Sequence, residues 1–325
     1  MPKVIRFTAK NNQEWREERA KSIGASSIGT LMGENPYQTP MELAERMKAE
    51  LNGQFDYTQN LAMLRGHAYE QGVADLFSWA TGKQLIKASG AEYLIRRDDL
   101  PFMHASPDRT YWIDPDGPKV GDKGERNKGI VECKTTRRHV DPDEPPLSWQ
   151  FQLQMQLGIG GYKEGYIAWD VLSQADGFGY HRYDFMPEVF EAITEVCRQF
   201  WDECIIGDRI PDPVNVRDVV SRWPESVNGK VRTVTDDVVA TYRRLKDKLV
   251  IADALNDEIE ELKDQLKLAF EDDEAISDPM GNLLATYKSA AGRTTIDSKL
   301  LKEKFPQAYA ECSKVGKPSR TFRLK

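Results

Sequence analysis

Cysteine is scarce in this sequence. The 325 residues contain four cysteines, and none of them belongs to a Cys-x-x-Cys pair. Scattered cysteines of this kind argue against a zinc site or a disulfide framework, so reduced thiols are expected. Apolar runs approaching the roughly 18 residues of a membrane span are also missing, and residues 1–6 lack the apolar segment of a signal peptide. These absences predict a cytoplasmic protein that has no membrane-spanning segment.

A surplus of positive charge is absent as well, because the formal net charge is −7 at pH 7. The local charge differs from this total. Residues 126–138 contain one acid, Glu132, and five basic residues, namely Arg126, Lys128, Lys134, Arg137 and Arg138. A patch of this kind can bind phosphate while the remaining surface stays acidic, and an ordinary solvated surface explains it nearly as well. The charge pattern therefore neither excludes nor demonstrates binding to nucleic acid.

A short strand pattern around residue 132 carries the strongest chemical signal. The segment GIVECKT at residues 129–135 reads as a strand, and alternation along it places Glu132 and Lys134 on one face with Cys133 on the other. An acid beside a lysine suits a hard metal ion and an activated water better than a core. Ser106-Pro107-Asp108 supplies a second carboxylate upstream. An aspartate ahead of a Glu-x-Lys strand is the core of the PD-(D/E)xK nuclease arrangement, although Glu-x-Lys also occurs by chance on exposed strands.

Helix and strand patterns alternate through the first two thirds of the chain. Helices are predicted at about residues 14–21, 40–50, 60–81, 149–157 and 187–206, and strands at 92–96, 103–105, 130–134 and 165–170. A small-residue segment follows the first helix, where Ser26 or Ser27 is expected to cap the next helical turn. Residues 114–128, rich in Asp, Gly, Pro and Lys, are expected to form a loop. This alternation predicts an α/β domain, which we place at residues 1–225.

The last hundred residues have a different pattern. Between residues 236 and 270, apolar residues recur at heptad spacing: Leu245, Ala252, Ile259 and Leu266 at one heptad position, and Leu255, Leu262 and Ala269 at another. This spacing predicts a long amphipathic helix or short coiled coil. A hairpin at residues 274–288, a helix at 296–309 and a final strand at 319–324 would complete a module at 226–325. Its plainest role is oligomerisation or packing.

Five short motifs occur in a characteristic order. They are Arg19 with a serine at position 26, RGHAYE ending at Glu70, SPD ending at Asp108, ECK starting at Glu132, and WQFQLQ at residues 149–154. Their order and spacing resemble the YqaJ-like viral recombinases, the family of phage lambda exonuclease, over about residues 14–175. The resemblance implies an α/β fold with a PD-(D/E)xK restriction-endonuclease-like core, in which helices flank a mixed central sheet. A C-terminal helical α+β extension would follow it.

The resemblance also implies a metal site. Asp108, Glu132 and the main-chain carbonyl of Cys133 would bind a metal ion, and Glu70 would serve a second ion or its water. Lys134 would orient the attacking water and help to deprotonate it. Oxygen ligands suit Mg²⁺, with Mn²⁺ as a substitute, and two ions would bracket the scissile phosphate.

Further roles implied by the resemblance fall on polar residues outside the acids. Gln150 would lie near the nucleophilic water, although Gln152 and Gln154 are close enough in sequence to leave the assignment open. Arg19 and Ser26 would hold a terminal 5′-phosphate. Without the resemblance these residues have plainer roles, since Arg19 could form an ion pair on a helix surface. Glu70 could equally be a solvated helix residue and Asp108 a turn residue.

The implied activity is that of a Mg²⁺-dependent 5′→3′ exonuclease on double-stranded DNA. It would leave 3′ overhangs for a single-strand annealing protein, as a phage or prophage protein in the bacterial cytoplasm, and its family implies a trimeric ring. Two alternatives stay open, a PD-(D/E)xK endonuclease of restriction or repair type and a DNA-binding scaffold without catalysis. Members of the family commonly carry Gly after the metal-binding Asp, whereas Arg109 stands here. Arg109 and Arg137 are therefore candidate DNA contacts.

Overall fold

The chain forms two compact units, Met1–Arg222 and Trp223–Lys325. The computed structural model describes residues 2–56, 58, 61–87, 93–117, 127–314, 316 and 320–324. Most of the predicted loop at 114–128 lies outside the described residues, as do the predicted end residues Asn60, Glu92 and Ser319. Among the helices that are described, none combines the length and the apolarity needed to cross a membrane.

Two mixed sheets organise the first unit. Its strands are β1 (Val4–Thr8), β2 (Ile23–Gly24), β3 (Ile86–Lys87), β4 (Tyr93–Arg97), β5 (Leu100–Ala105), β6 (Arg109–Trp112), β7 (Lys128–Thr136), β8 (Glu164–Val171) and β9 (Phe178–Asp184). One sheet has the order β1-β4-β5-β2 and the other the order β3-β6-β7-β8-β9. The pairs β2–β5 and β7–β8 are parallel, and the neighbouring pairs are antiparallel.

Helices pack on both faces of the five-stranded sheet. The helices of this unit are α1 (Asn12–Ala20), α2 (Ile28–Leu31), α3 (Pro40–Leu51), α4 (Leu61–Thr81), α5 (Leu147–Gly160), α6 (Pro187–Phe200) and α7 (Val216–Arg222). Ile130 of β7 lies with Leu153 of α5 in the larger core cluster. Its neighbour Val131 lies with Phe77 of α4 in a second cluster on the opposite face. The predicted α/β class, a mixed sheet flanked by helices, is therefore confirmed.

Local sequence signals fix the ends of two of these helices. At the start of α3, the Thr39 hydroxyl accepts a hydrogen bond from the Glu42 amide, and the Thr39 amide donates one to the Glu42 carboxylate. These two bonds form a capping box. Pro40 takes the first helical position, where its missing amide hydrogen costs nothing. Gly161 ends α5 in the left-handed conformation, with φ at 70°, which a residue with a side chain adopts only at a cost.

Several sequence expectations for the first unit need correction. Strands β1, β2, β3, β6 and β9 were not predicted, because short or half-exposed strands carry little alternation. The serine cap is confirmed in position only: Ser27 is the N-cap residue of α2, but its side chain makes no capping hydrogen bond, and residues Ala25–Ser27 form a 3₁₀ turn. The predicted helix at 187–206 changes at Trp201 from α to π geometry.

The second unit consists of α8 (Asp236–Leu268), a hairpin of β10 (Ala275–Ser277) and β11 (Leu283–Thr286), and the helices α9 (Ser298–Lys304) and α10 (Pro306–Cys312). The predicted long helix and hairpin are confirmed. The predicted helix at 296–309 is two helices, because Pro306 has no amide hydrogen to continue α9 and instead begins α10. Residues 320–324 form no strand, so that prediction is wrong.

Candidate functional site

Strand β7 presents different residues to its two faces. Glu132 follows the alternation of Ile130 and faces α5, while Cys133 packs beside the cluster formed with α4. Glu132 is only 4% exposed, so its charge requires partners. Strand β6 pairs antiparallel with β7, with Arg109 opposite Val131. One residue before Arg109, the same register brings Asp108 opposite Glu132. The register of the sheet therefore places together two carboxylates that lie far apart in the sequence.

Glu132 is held by three donors. Lys134 Nζ lies 2.8 Å from Glu132 Oε1, and the same oxygen accepts from Gln152 Nε2 of α5. Gln156, one turn further along α5, donates to Glu132 Oε2 at 2.7 Å. Lys134 Nζ also donates to Gln152 Oε1 at 2.8 Å, which closes a small network. This network fixes the orientation of the Glu132 carboxylate.

Asp108 lies between β5 and β6 and is anchored to β7. Its Oδ2 accepts a hydrogen bond of 2.8 Å from the amide of Cys133. Burial and the neighbouring Glu132 carboxylate raise the pKa of Asp108 well above its usual range, against the opposing effects of Lys134 and the Cys133 amide. The two carboxylates thus repel each other in a site with one lysine between them.

Lys134 remains charged despite its surroundings. Burial favours the neutral amine, but the carboxylates of Glu132 and Asp108 outweigh that effect and raise the pKa of Lys134 above its ordinary value. The side chain is 21% exposed, and its ammonium group bonds to Glu132 and Gln152. At neutral pH it is therefore a hydrogen-bond donor that can reach a group entering from solvent.

Glu70 approaches the same region from α4, but it has a partner of its own. Arg109 Nη1 lies 2.5 Å from Glu70 Oε1 and 2.7 Å from the carbonyl oxygen of Asp108, while Nη2 donates to Gln71 Oε1 at 3.0 Å. Arg109 is 2% exposed. The suggestion that Arg109 contacts DNA is therefore wrong in this structure, because its guanidinium is buried and bonded within the protein. Its position instead orients Glu70 towards the site.

Removing this guanidinium should destabilise the fold. Arg109→Ala is expected to lower the free energy of unfolding by about 1.5–3 kcal/mol, the range for hydrogen bonds to a charged group, because Glu70 and the Asp108 carbonyl lose their donor. Urea denaturation checks this value. The exposed Arg137→Ala is the control and should change stability by less than about 0.5 kcal/mol. Equal stability of both variants would mean that the Arg109 contacts contribute nothing.

The glutamines of α5 divide between its two faces. Gln152 and Gln156 bind Glu132, whereas Gln154 bonds to the Asp184 carbonyl and the Met186 amide. Gln150 donates to the carbonyl oxygen of Pro145 at 2.6 Å. The assignment of Gln150 to the active centre thus needs correction, because Gln152 has the contact with the acid and the lysine.

A second polar region surrounds Arg19. Its guanidinium stacks on Trp15 at 4.4 Å from the ring centre, and in the described part of the chain it makes no ion pair with a carboxylate. Burial, followed by the positive charges of Arg46 and Arg16, lowers the pKa of Arg19, although a guanidinium keeps its charge at any ordinary pH. The Glu50 carboxylate, which pairs with Arg46, partly opposes this effect without forming an ion pair with Arg19.

Ser26 and Ser106 lie on the chain segments that leave this region. Parallel pairing matches Gly24 to His104, so the segments that follow these two residues run side by side. Ser106 Oγ is buried and has no hydrogen-bond partner among the described residues. Arg137, the other candidate DNA contact, lies exposed just beyond the end of β7. Sequence reasoning singled out Ser26 but gave Ser106 no role of its own, although it belongs to the same motif as Asp108.

The acids of this site differ in how well they fit a metal ion. In the described residues no group of three or more His, Cys, Asp or Glu side chains is placed to hold one. Asp108 and Glu132 remain as a pair of hard oxygen donors, and their mutual repulsion, seen in the raised pKa of Asp108, is what a divalent cation would relieve. The donor set therefore fits one such ion, while Glu70 is engaged by Arg109.

An aspartate entering a mixed sheet, a Glu-x-Lys strand beside it and flanking helices together define the PD-(D/E)xK class of α/β fold. Residues 14–163 match the model of the YqaJ-like viral recombinase domain. The resemblance recognised in the sequence is confirmed over that region. This match supports a phage-type nuclease.

Similar proteins include one curated relative and several solved structures. The chain is 28% identical over 325 residues to the uncharacterized protein YqaJ of Bacillus subtilis strain 168, covering 94% of this chain and 93% of the relative. An alkaline exonuclease from Laribacter hongkongensis is 18% identical, with a TM-score of 0.45, over 59% of this chain and 92% of that one. A phage-related exonuclease from Haemophilus somnus is 14% identical, with a TM-score of 0.40, over 57% and 95% of the respective chains.

Proposed function

We propose that this protein is a metal-dependent deoxyribonuclease that digests double-stranded DNA from its 5′ ends and leaves 3′ overhangs. One observation supports this most strongly: Asp108, Glu132 and Lys134 come together on the sheet of a YqaJ-like domain. Mg²⁺ is the expected ion, with Mn²⁺ as a substitute, because the available ligands are oxygens. The family resemblance also suggests a homotrimeric ring and delivery of the overhang to a single-strand annealing protein.

The roles of the residues follow from their contacts. Asp108, Glu132 and the Cys133 carbonyl would hold the ion, which would supply a Lewis acid at the scissile phosphate. Gln152 and Gln156 keep the Glu132 carboxylate in one orientation, so its oxygens are preorganised. Lys134 is protonated at neutral pH, and we therefore assign to it the positioning of the attacking water and the stabilisation of charge developing on the phosphate.

The number of metal ions bound per active site can be measured directly. Two ions were expected from the family resemblance, with Glu70 serving the second. Because Arg109 already bonds to Glu70, a second ion would require this pair to separate. Isothermal titration with Mn²⁺ measures the stoichiometry, and its answer is independent of whether the enzyme is an exonuclease.

The form of the DNA substrate distinguishes the candidate activities. An exonuclease digests linear duplex in the presence of Mg²⁺ and leaves covalently closed circular duplex intact. An endonuclease of restriction or repair type also cuts the circle, and a DNA-binding scaffold cuts neither. Chelation by EDTA should stop digestion in the first two cases. Cleavage of closed circles would overturn the exonuclease proposal while keeping the metal site.

The 5′ polarity rests on the region around Arg19. Among the described residues, the Arg19 guanidinium has no carboxylate in ion-pair contact and the buried Ser106 hydroxyl has no hydrogen-bond partner. A terminal phosphate dianion would satisfy both groups, with Ser26 on the adjacent segment. Holding that phosphate would position the first phosphodiester over Asp108 and Glu132. The binding energy would then act on positioning and hence on turnover.

Arg19→Ala should slow digestion of 5′-phosphorylated duplex by about 10- to 100-fold, which corresponds to the loss of hydrogen bonds to a charged group. Digestion of 5′-hydroxyl duplex should change much less. End-labelled linear duplexes with either end measure both rates. The matched control is Lys21→Ala, which removes one positive charge from an exposed residue just after the same helix.

The preference of the unaltered protein for a 5′-phosphate should also shrink as the salt concentration rises, because phosphate contacts are screened. An equal slowing of both substrates by Arg19→Ala would contradict the assignment. Arg19 would then be a structural residue that stacks on Trp15 or a general DNA contact.

A further inference from the structure

Helix α8 of the second unit has no buried side chain along its 33 residues. At 1.5 Å per residue such a helix is about 50 Å long. Most of the stability of helices in proteins comes from packing an apolar face, and the large apolar residues of α8 are exposed, among them Leu255 at 54% and Leu262 at 52%. The apolar side chains of α8 are therefore of the kind that proteins usually bury, yet they are not buried among the described residues of the chain.

The apolar residues of α8 form one continuous stripe. They are spaced by three or four positions throughout: Val238, Tyr242, Leu245, Leu249, Ala252, Leu255, Ile259, Leu262 and Leu266. This spacing is that of a coiled-coil seam. Two successive spacings of three meet at Ala252, the fifth of the nine residues, and the spacings on either side of it mirror each other. The stripe can therefore be superimposed on its own reverse about Ala252.

Charge is distributed unequally between the two halves of α8. In the first half, residues 243–248 contain four basic residues and one acid. In the second half, residues 253–264 contain six acids and one lysine. Lys263 and Lys267 already pair with Glu260 and Asp264 within the helix. A basic half followed by an acidic half is complementary to itself only when one copy is reversed.

From the stripe and this charge reversal we infer that α8 pairs in antiparallel orientation with α8 of a second copy of the chain. Alignment about Ala252, the middle residue of the stripe, sets Leu245 opposite Ile259 and Leu249 opposite Leu255. The same alignment brings Arg243 opposite Glu261 and Lys246 opposite Glu258. A parallel pair would instead place basic against basic and acidic against acidic halves, which costs free energy in both halves.

This pairing goes beyond nuclease activity, and it joins two chains through their second units whatever assembly the nuclease domains form. Its stability should come mainly from the apolar seam, and its orientation from the charges. Both properties can be tested in the full-length chain without measuring DNA cleavage. Failure of the pairing would leave the proposed nuclease function untouched.

Single cysteines test the orientation. In a Cys312→Ser background, which removes the exposed native thiol, Leu245→Cys and Ile259→Cys are prepared separately and together. Antiparallel pairing predicts no disulfide-linked dimer for either single variant, because identical positions lie about 21 Å apart along the axis. A mixture of the two variants, after subunit exchange, should form the mixed dimer on mild oxidation, and the double variant should form a dimer alone. Non-reducing electrophoresis reads each result.

Dimers from each single variant by itself would show a parallel pair, and absence of dimers from every sample would show that α8 does not self-associate. Either outcome overturns the inference. A second measurement uses charge: reversing Arg243, Arg244, Lys246 and Lys248 to Glu should reduce self-association at least tenfold in sedimentation velocity. Reversing Lys299, Lys302 and Lys304 of α9 is the control and should leave it unchanged. Unaltered association of the α8 variant would contradict charge-directed pairing.

Discussion

Asp108→Asn is expected to abolish measurable digestion of linear duplex DNA while leaving the protein folded. The substitution keeps the size of the side chain, and the amide oxygen can still accept the bond from the Cys133 amide. It removes one of the two negative charges that would hold the metal ion. The rate should fall by more than about 100-fold, which exceeds the loss typical for a residue that only supports a metal ligand. Digestion of end-labelled duplex with Mg²⁺ and Mn²⁺ measures this loss.

The same variant should be more stable than the unaltered protein when metal is absent. The pKa of Asp108 is raised in the folded state, so the folded protein binds this proton more readily than the unfolded chain. Ionisation of Asp108 therefore destabilises the fold increasingly as pH rises from about 4, the usual pKa of the unfolded chain, through the raised folded value. The asparagine side chain of the variant does not ionise and avoids that cost. In EDTA, the variant should have a higher melting temperature than the unaltered protein at pH 8, and the two melting temperatures should be equal at acidic pH.

Glu132→Gln is expected to abolish digestion as well, but unlike Asp108→Asn it should also weaken the fold. The Glu132 carboxylate accepts from Lys134, Gln152 and Gln156, and a glutamine can offer only one oxygen to these three donors. A loss of stability should accompany the loss of activity. Substantial nuclease activity in either variant, in protein free of contaminating nuclease, would show that these acids are not the catalytic centre.

Lys134→Met should lower the rate of DNA cleavage by about 10²- to 10⁴-fold, the usual contribution of a positioned acid or base. The side chain would no longer orient water or oppose negative charge near Glu132 and Asp108. Binding of duplex DNA in the presence of Ca²⁺ should remain within a few fold of the original. Single-turnover kinetics together with an equilibrium binding assay separate these two effects.

A matched control exists on the same strand. Lys128→Ala removes a lysine at the start of β7, six residues from Lys134 and so about 20 Å away along an extended strand. This variant should cleave at nearly the original rate. Comparable loss of cleavage in both variants would indicate that the lysines act through the general positive charge of the protein. A Lys134→Met variant that cleaves normally would remove Lys134 from the mechanism.

Sequence alone predicted much of the first unit because its signals are local. Helix α3 carries a capping box, α4 has a long apolar pattern, and β7 alternates between core and polar residues. Helix α5 is different, because its alternating glutamines by themselves favour a strand and only the family resemblance indicated a helix. The common face of Glu132 and Lys134 follows from the two-residue period of a strand. The heptad spacing likewise predicted α8. Strand β6 escaped because it has only four residues, and β9 escaped because its aromatic residues do not keep a two-residue spacing.

Tertiary structure decided which side chains meet at the site. Four glutamines alternate along WQFQLQMQ, and only the rotation of α5 against the sheet shows that Gln152 and Gln156, one turn apart, face Glu132 while Gln150 does not. That rotation depends on how the apolar residues of α5 pack, which no local pattern specifies. The burial of Arg109 against Glu70 depends in the same way on where α4 crosses the sheet.

The sequence by itself therefore determined the identity and order of the reactive residues and the face on which Glu132 and Lys134 lie, because both follow from chain order and strand geometry. The tertiary structure decided the partners of those residues. Pairing of β6 with β7 brings Asp108 to Glu132, and burial together with repulsion from the Glu132 carboxylate raises the pKa of Asp108. Charge interactions of this kind depend on distances between residues remote in sequence, and only the folded chain fixes those distances.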